Sequence, residues 1–233
     1  MKVETCLTPS LIHHYSLEGK QVVVVDIFRA TSCMVSGLAN GLKSIYPVDN
    51  VEECLALGRK GYITAGERGG IKIEAFNIGN SPFEYMNAEF EGKSVAVTTT
   101  NGTHALVKSL AAHEIIIGAF LNLTATAKHL QQNEQDVVIH CAGWKGTVNI
   151  EDTLFAGALI NALGSVELVD DTSRIAHSLY LQHKDNLNHI AEASSHAKRL
   201  SRFGIEKDLE FCMTIDEYDI VPVYRDQELW LHK

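Results

Sequence analysis

Short runs of apolar residues alternate along the chain with stretches in which apolar positions recur every three or four residues. Residues 21–26 read Q-V-V-V-V-D. Four valines without polar alternation predict a strand buried on both faces, as in parallel sheets. Helical spacing follows over residues 30–40, and Gly41 can end it. The pairing then repeats. Strand 44–48 precedes helix 51–60, with Asp49 or Asn50 as N-cap. Strand 62–65 runs into a glycine-rich polar stretch, 66–80. Strands 94–99, 114–119 and 136–141 are each followed by a helix, at 104–112, 124–132 and 151–163. This alternation predicts βαβ units in an α/β fold, a mainly parallel or mixed sheet flanked by helices.

The pattern changes after Gly164. Residues 171–183 and 187–203 read as two longer, more polar helices. Residues 211–231 hold short strand-like pieces around Pro222, expected to pack on or extend the sheet. Only 4 prolines occur and no linker is visible, so residues 1–233 read as one α/β domain, with no boundary for sub-lobes.

Composition narrows the class. With 45% hydrophobic and 21% charged residues in 233, the chain has an ordinary globular balance rather than a disordered or fibrous one. Residues 1–10 lack a signal peptide's apolar core, and the apolar runs 22–25 and 115–121 fall far short of the ~20 residues that span a bilayer. A cytoplasmic location is expected. The 5 cysteines are odd in number and widely spaced, with no C-x-x-C pair, which argues against a disulfide framework or zinc knuckle. Basic residues number 20 and acidic ones 29, a formal charge of −9. That balance disfavours nucleic acid and anionic membranes as partners but not a small anionic ligand. The apolar helix around Leu154 suits a core or a subunit interface, which leaves a homo-oligomer open.

In open α/β sheets ligands bind beyond the carboxyl ends of the strands, so candidate chemistry is sought there. The first such end, V-D-I-F-R-A-T, offers Asp26 as a metal ligand and Arg29 and Thr31 as anion contacts. A plainer account has Asp26 capping the next helix and Arg29 paired with it. The second, G-E-R-G-G-I-K, brings Glu67, Arg68 and Lys72 and matches no nucleotide-binding fingerprint. It leads to Asn80 through a loop long enough to suggest function. The third, T-T-T-N-G-T, carries Thr99, Thr100, Asn101, Gly102 and Thr103 into a helix N-terminus, a natural oxyanion site. The fourth, H-C-A-G-W-K-G-T, places Cys141 at a strand end. A cysteine-phosphatase loop would need arginine where Thr147 stands. Glu151 and Asp152 open the next helix, where acidic residues suit the dipole and can also supply oxygen ligands. The 11 histidines form no zinc pattern, and none is assigned to catalysis.

In order along the chain, V-V-V-V-D-I-F-R-A-T, G-E-R-G-G-I-K, F-N-I-G-N-S-P, T-T-T-N-G-T, C-A-G-W-K-G and E-D-T-L-F-A-G-A-L resemble the motifs of 2-phosphosulfolactate phosphatases, as do the closing Cys212-x-x-x-Asp216 and Asp219-Ile-Val-Pro222-Val. The resemblance implies a Mg²⁺-dependent phosphatase that converts 2-phospho-3-sulfolactate to sulfolactate and phosphate, a step of coenzyme M biosynthesis. It also implies an α/β fold distinct from the haloacid-dehalogenase phosphatases. The family usually has Gly and Asp where this chain has Ala75 and Asn77, and Thr-Thr in place of Ser32 and Cys33.

The expected mechanism follows from charge. Phosphoryl transfer depends on positioning and neutralisation. Mg²⁺ is expected on Asp26, Glu151 and Asp152, with Glu67 near. The Thr99–Thr103 turn is expected to cradle phosphate, and Arg29, Arg68 or Lys72 to hold sulfonate or carboxylate. Two rivals stand beside this reading. One is a metal-free cysteine hydrolase using Cys141, where Asp26, Lys93 or Lys145, and Cys141 would resemble an isochorismatase-like trio. The other is a noncatalytic binder of an anionic metabolite.

Overall fold

A computed structural model describes residues 1–133 and 135–232. In chain order the elements are β1 (Lys2–Cys6), β2 (Gln21–Val25), α1 (Ala30–Ala39), β3 (Ser44–Pro47), α2 (Val51–Gly58), β4 (Ile63–Arg68), β5 (Ile71–Lys72), α3 (Pro82–Tyr85), β6 (Ser94–Thr98), α4 (Gly102–Lys108), β7 (Glu114–Gly118) and α5 (Leu123–Asn133). They continue with β8 (Val137–Cys141), α6 (Ile150–Leu163), β9 (Glu167–Leu168), α7 (Asp171–His183), α8 (Leu187–Glu192), α9 (Ser195–Leu200), α10 (Glu206–Cys212), β10 (Pro222–Arg225) and β11 (Glu228–Leu231).

Among the described residues the strands join in one sheet, ordered β5-β4-β6-β3-β11-β10-β7-β2-β8-β1-β9. Pairs within β4-β6-β3 and within β7-β2-β8-β1-β9 are parallel. The hairpin β10–β11 joins them, with β10 antiparallel to β7 and β11 antiparallel to β3. The expected mixed, mainly parallel α/β sheet is therefore present. All four valines of β2 are fully buried, flanked by Ile116 of β7 and Ile139 of β8 in register with Val23. Burial on both faces is what the unbroken apolar run requires.

Helix α6 is apolar around its whole circumference because neighbours cover it, chiefly α7 and α5. It serves as core within this chain. Gly157 lets α7 lie directly against it, since a Cβ there would sit 2.1 Å from the Ala176 carbonyl oxygen. The obstacle is backbone, which cannot rotate away. Gly157→Ala is expected to cost about 3 kcal/mol, the upper range for overpacking. Circular-dichroism melting should show Tm falling by roughly 6–12 °C; a change under about 2 °C would mean that the helices part easily.

Several expectations need correction. The 66–80 stretch is not an unbroken loop: β4 continues to Arg68, β5 folds back on it, and Phe76 and Ile78 are buried. The single helix expected over 187–203 is broken at Ser194, whose hydroxyl accepts the Ala197 N–H and caps a new helix. Ser competes for backbone donors in this way and favours a start over a continuation. Residues 206–212 form α10, although the tail was expected to be strand-like from 211. The tail hairpin lies inside the sheet rather than on its edge, with Asp226 and Gln227 at positive φ in its turn (52° and 69°). β1 shows apolar-polar alternation and had not been read as a strand. No described helix is long and apolar enough to cross a membrane.

Candidate active site

A flat sheet would hold the ends of β2 and β4 roughly 29 Å apart, at about 4.8 Å per strand. Instead, Asp26 after β2 and Glu67 of β4 line one narrow polar cleft. The sheet therefore curls, as large twisted sheets do. Gly102 shows how tightly, because a Cβ there would meet Asp26 Oδ2 at 2.9 Å and Ala30 Cβ at 2.5 Å. Asn80, Asn101, Trp144 and Phe28 supply further walls, and α9 closes the cleft with His196, Arg199 and Leu200. A roomier hollow of about 560 Å³ between α8, α9 and α10 shares Phe28 but has a mostly apolar lining. The reactive side chains converge in the polar cleft.

Four carboxylates were expected on one rim, and they divide by their hydrogen bonds. Asp152 is fully buried, and its two oxygens accept the Ile27 N–H (2.9 Å) and the Gly143 N–H (3.0 Å). It stitches the β2 and β8 exits together. Burial and the neighbouring Glu151 and Asp26 push its carboxyl well above the usual range. Asp152 does not line the cleft, and each of its oxygens accepts a main-chain N–H. Glu67 does line the cleft, with its carboxylate fixed by the Thr100 N–H (2.7 Å) and the Gly70 N–H (2.5 Å). Glu151 is fully buried; Oε1 lies 2.5 Å from His196 Nδ1, while Oε2 has no partner. Asp26 faces the cleft with the Ala30 N–H as support, and its pKa is raised to about 6. Burial is the main cause; His196 opposes it, and Glu67 and Glu151 add to it.

A divalent cation fits this arrangement only in one form. Among the described residues, three of these acidic groups do not bring ligand atoms within 4.8 Å of one another, so a cage built from protein alone is not present. Mg²⁺ commonly uses one or two carboxylates and completes its shell with water and substrate phosphate. Asp26, which faces the cleft, and the unpartnered Oε2 of Glu151, which is buried and does not itself line the cleft, are the candidate donors.

Arg199 supplies the cleft's cationic side. Its guanidinium stacks on Trp144 at 3.4 Å from the ring centroid, and Nη1 reaches the Gly69 carbonyl at 3.4 Å. Nε and Nη2 are buried with no protein partner. These two N–H groups point the same way and form the fork that receives an oxyanion with two parallel hydrogen bonds. His196 packs its ring near Trp144 (5.4 Å between centroids), while Glu151 Oε1 holds Nδ1. A proton on Nδ1, shared with Glu151, leaves Nε2 as the ring's second nitrogen.

The expected site residues fare differently. Asp26, Arg29, Glu67, Asn80 and Asn101 line the cleft, and Gly102 presses against Asp26. Asn80 Oδ1 is buried without a partner. Arg29 pairs with Asp208, Nη1 to Oδ2 at 2.5 Å, and not with Asp26; Ser81 in turn donates to Asp208 at 3.0 Å. Thr31 spends its hydroxyl on the Asp26 main chain and is not a substrate contact. Thr99 and Thr103 are bonded to each other, and the Thr100 N–H belongs to Glu67. The expected phosphate cradle has therefore used those donors internally. Arg68 turns back to the Glu67 carbonyl and Thr98, and Lys72 donates to the Asn77 carbonyl; neither lines the cleft. Asn77, the departure from the family pattern, accepts from Thr64 N and Oγ1 outside the cleft, so it costs the site no carboxylate.

Cys141 is a further correction. Its thiol is fully buried, donates to the Asp152 carbonyl at 3.6 Å, and is pushed well above its ordinary pKa by burial. A nucleophilic cysteine needs an exposed, stabilised thiolate, and this one has neither property. His196, Arg199 and Trp144 had not been singled out. The signal was the i, i+3 spacing of His196 and Arg199, which shares one helix face but looked like ordinary solvated surface.

A curled α/β sheet with a buried cleft carboxylate, a supported histidine and a vacant arginine fork defines a protein that acts on a small oxyanion. Residues 6–227 match the family model described as 2-phosphosulpholactate phosphatase. A protein of Caldanaerobacter subterraneus named as a probable 2-phosphosulfolactate phosphatase is 40% identical over 228 residues, 95% of each chain. Similarly named proteins are 40% identical in Thermotoga maritima (88% of this chain, 89% of the relative) and 36% in Clostridium beijerinckii (98% and 99%). The chain belongs to the 2-phosphosulpholactate phosphatase family and is a phosphoric monoester hydrolase.

Proposed function

We propose that this phosphatase hydrolyses 2-phospho-3-sulfolactate to sulfolactate and phosphate in a Mg²⁺-dependent reaction. The observation that carries the reading is the unpartnered two-donor edge of Arg199, a residue that lines the same cleft as Asp26. The substrate has a phosphate, a sulfonate and a carboxylate, so one fork for an oxyanion and a separate carboxylate for a cation are both needed. The names of the relatives support the substrate.

Asp26, with Glu151 Oε2 behind it, would hold the ion, which when bound neutralises phosphoryl charge. Arg199 grips an oxyanion of the substrate, and Trp144 stacked beneath it holds the planar guanidinium in place. Phe28, Trp144 and Leu200 keep bulk water out. In the reaction a water oxygen bonds to phosphorus and the bond from phosphorus to the C2 oxygen breaks. His196 Nε2, aligned by Glu151 on Nδ1, is placed to take the water proton. The sulfolactate oxygen leaves and takes up a proton from solvent, His196 returns the proton it took from water to solvent, and inorganic phosphate departs. The net charge of −9 is no obstacle, because the acidic excess includes the carboxylates around this cleft.

Phosphate release from a panel of small phosphomonoesters, with Mg²⁺ or with EDTA, tests the reading. Phosphosulfolactate should be the best substrate, EDTA should abolish turnover and Mg²⁺ restore it. EDTA-resistant activity would remove the metal, and preference for a monoanionic ester would remove the substrate. Arg199→Lys keeps the charge and loses the fork. KM is expected to rise about 10–100-fold with a smaller change in kcat, since a charged hydrogen bond is worth about 1.5–3 kcal/mol. An unchanged KM would leave Arg199 as a lid residue only.

A further inference from the structure

The cleft lies at the carboxyl ends of the strands. Away from it, Glu114 opens β7, His129 projects from α5, and His232 follows β11. We propose that these three side chains form a second metal site, for a borderline divalent transition ion, zinc being the best match. One carboxylate oxygen and one nitrogen from each imidazole lie within 4.8 Å of one another. No other group of three His, Cys, Asp or Glu side chains among the described residues gathers so closely.

The geometry is prepared rather than incidental. Glu114 Oε2 lies 2.9 Å from His129 Nε2 and accepts Gln21 Nε2 at 2.6 Å. His129 is buried, which fixes its ring, and the His232 N–H is tied to the Val221 carbonyl at 2.8 Å. The two imidazoles meet edge-on, with centroids 4.5 Å apart. His129, Gln21 and His232 hold the Glu114 carboxyl below its ordinary pKa, so it stays an anionic ligand. Two imidazoles and one carboxylate suit zinc, cobalt or nickel, whereas Mg²⁺ and Ca²⁺ prefer oxygen throughout. The adjoining hollow, bordered by Lys128, Gln132 and Asp219, leaves room for water in the fourth position.

Gln21 begins β2 and Asp26 follows its end, so the two sites stand roughly 16 Å apart at about 3.3 Å per residue. The second site is thus distinct from the phosphatase cleft. The family-matched stretch ends at residue 227, so His232 lies outside it. A bound ion would tie α5 and β7 to the end of the hairpin that joins the two halves of the sheet, which makes its role structural.

The test uses untagged, chelator-stripped full-length protein with Co²⁺ or Zn²⁺ alone and no substrate. One equivalent of Co²⁺ should give the intense visible bands of a tetrahedral site, and Zn²⁺ should displace it. Zn²⁺ at about a hundredfold its Kd should raise Tm by roughly 5–10 °C. His232→Ala should weaken binding by more than the roughly 10–100-fold that loss of an outer hydrogen-bond partner costs, while the metal-free Tm and the phosphatase activity in Mg²⁺ stay unchanged. Asp26→Asn should bind Zn²⁺ as tightly as wild type. The proposal is overturned by no saturable Zn²⁺ binding, by equal affinity in His232→Ala, or by binding lost in Asp26→Asn.

Discussion

Replacing Asp26 by asparagine is expected to lower phosphatase turnover by about 10²–10⁴-fold, the range for a group directly engaged in charge or proton handling, and at the same time to stabilise the metal-free protein. The two effects share one cause. Burial beside Glu67 and Glu151 raises the Asp26 pKa from 3.8 to about 6, so its ionised form is disfavoured in the fold. Such a group costs stability once pH exceeds its folded pKa, and the cost vanishes below the unfolded value. One decade of proton affinity is worth about 1.4 kcal/mol, so the cost at pH 7 is about 3 kcal/mol at most. Asn has the same shape without the charge. Its Tm should therefore rise by several degrees at pH 7 in EDTA, and the gain should disappear near pH 4. Turnover within about tenfold of wild type would take Asp26 out of the chemistry. A lower Tm would show that the Ala30 N–H rewards the charge more than burial penalises it.

His140 should dominate acid destabilisation. The ring is fully buried in β8, with Nδ1 2.9 Å from Ser109 Oγ and Nε2 without a partner. Burial, helped by Lys108 and His104, pushes its pKa from 6.5 down to about 3. Above pH 6.5 both states hold the ring neutral. As pH falls below 6.5 the unfolded chain takes up a proton that the folded chain refuses, so stability is lost progressively until about pH 3. The full loss is about 5 kcal/mol, and about 3 kcal/mol of it is gone by pH 4. That is a large part of the 5–15 kcal/mol margin typical of native proteins. Asp26 pulls the other way between pH 6 and 4, so wild type alone does not isolate the effect. His140→Asn keeps a polar atom near Ser109 and cannot gain the charge. Urea unfolding at pH 7 and pH 4 should show wild type losing about 3 kcal/mol more than the variant. Parallel losses would mean that the folded protein admits the proton.

The frame of the fold was legible because its signals are local. The β2 valines, the Asn50 cap and the uniform apolarity of α6 each specify burial or a helix start without reference to distant residues. The strand-end rule located Asp26, Glu67, Asn80 and Asn101 in one place. What failed depends on pairing across long separations. Arg29 looked free until α10 supplied Asp208, and the threonines of 99–103 looked available until they bonded to each other. Arg68 and Lys72 had the right charge in the right loop, but β5 folds back and turns them away from the cleft. His196 and Arg199 lie on a polar helix whose docking over the strand ends has no sequence marker.

The placement of the hairpin has a consequence for the way the protein is made. Residues up to Leu168 contain every strand of the two parallel blocks, while Pro222–Arg225 and Glu228–Leu231, which join them, are translated after all of these. On the ribosome, β3 and β7 are therefore raw edges, with Ile45, Ile115 and Ile116 waiting for Leu229, Tyr224 and Val223. At synthesis rates of about 5–20 residues per second, that leaves several seconds of exposed strand. Unpaired apolar edges are templates for intermolecular pairing. The half-sheets stay open to such pairing until residues 222–231 zip them shut.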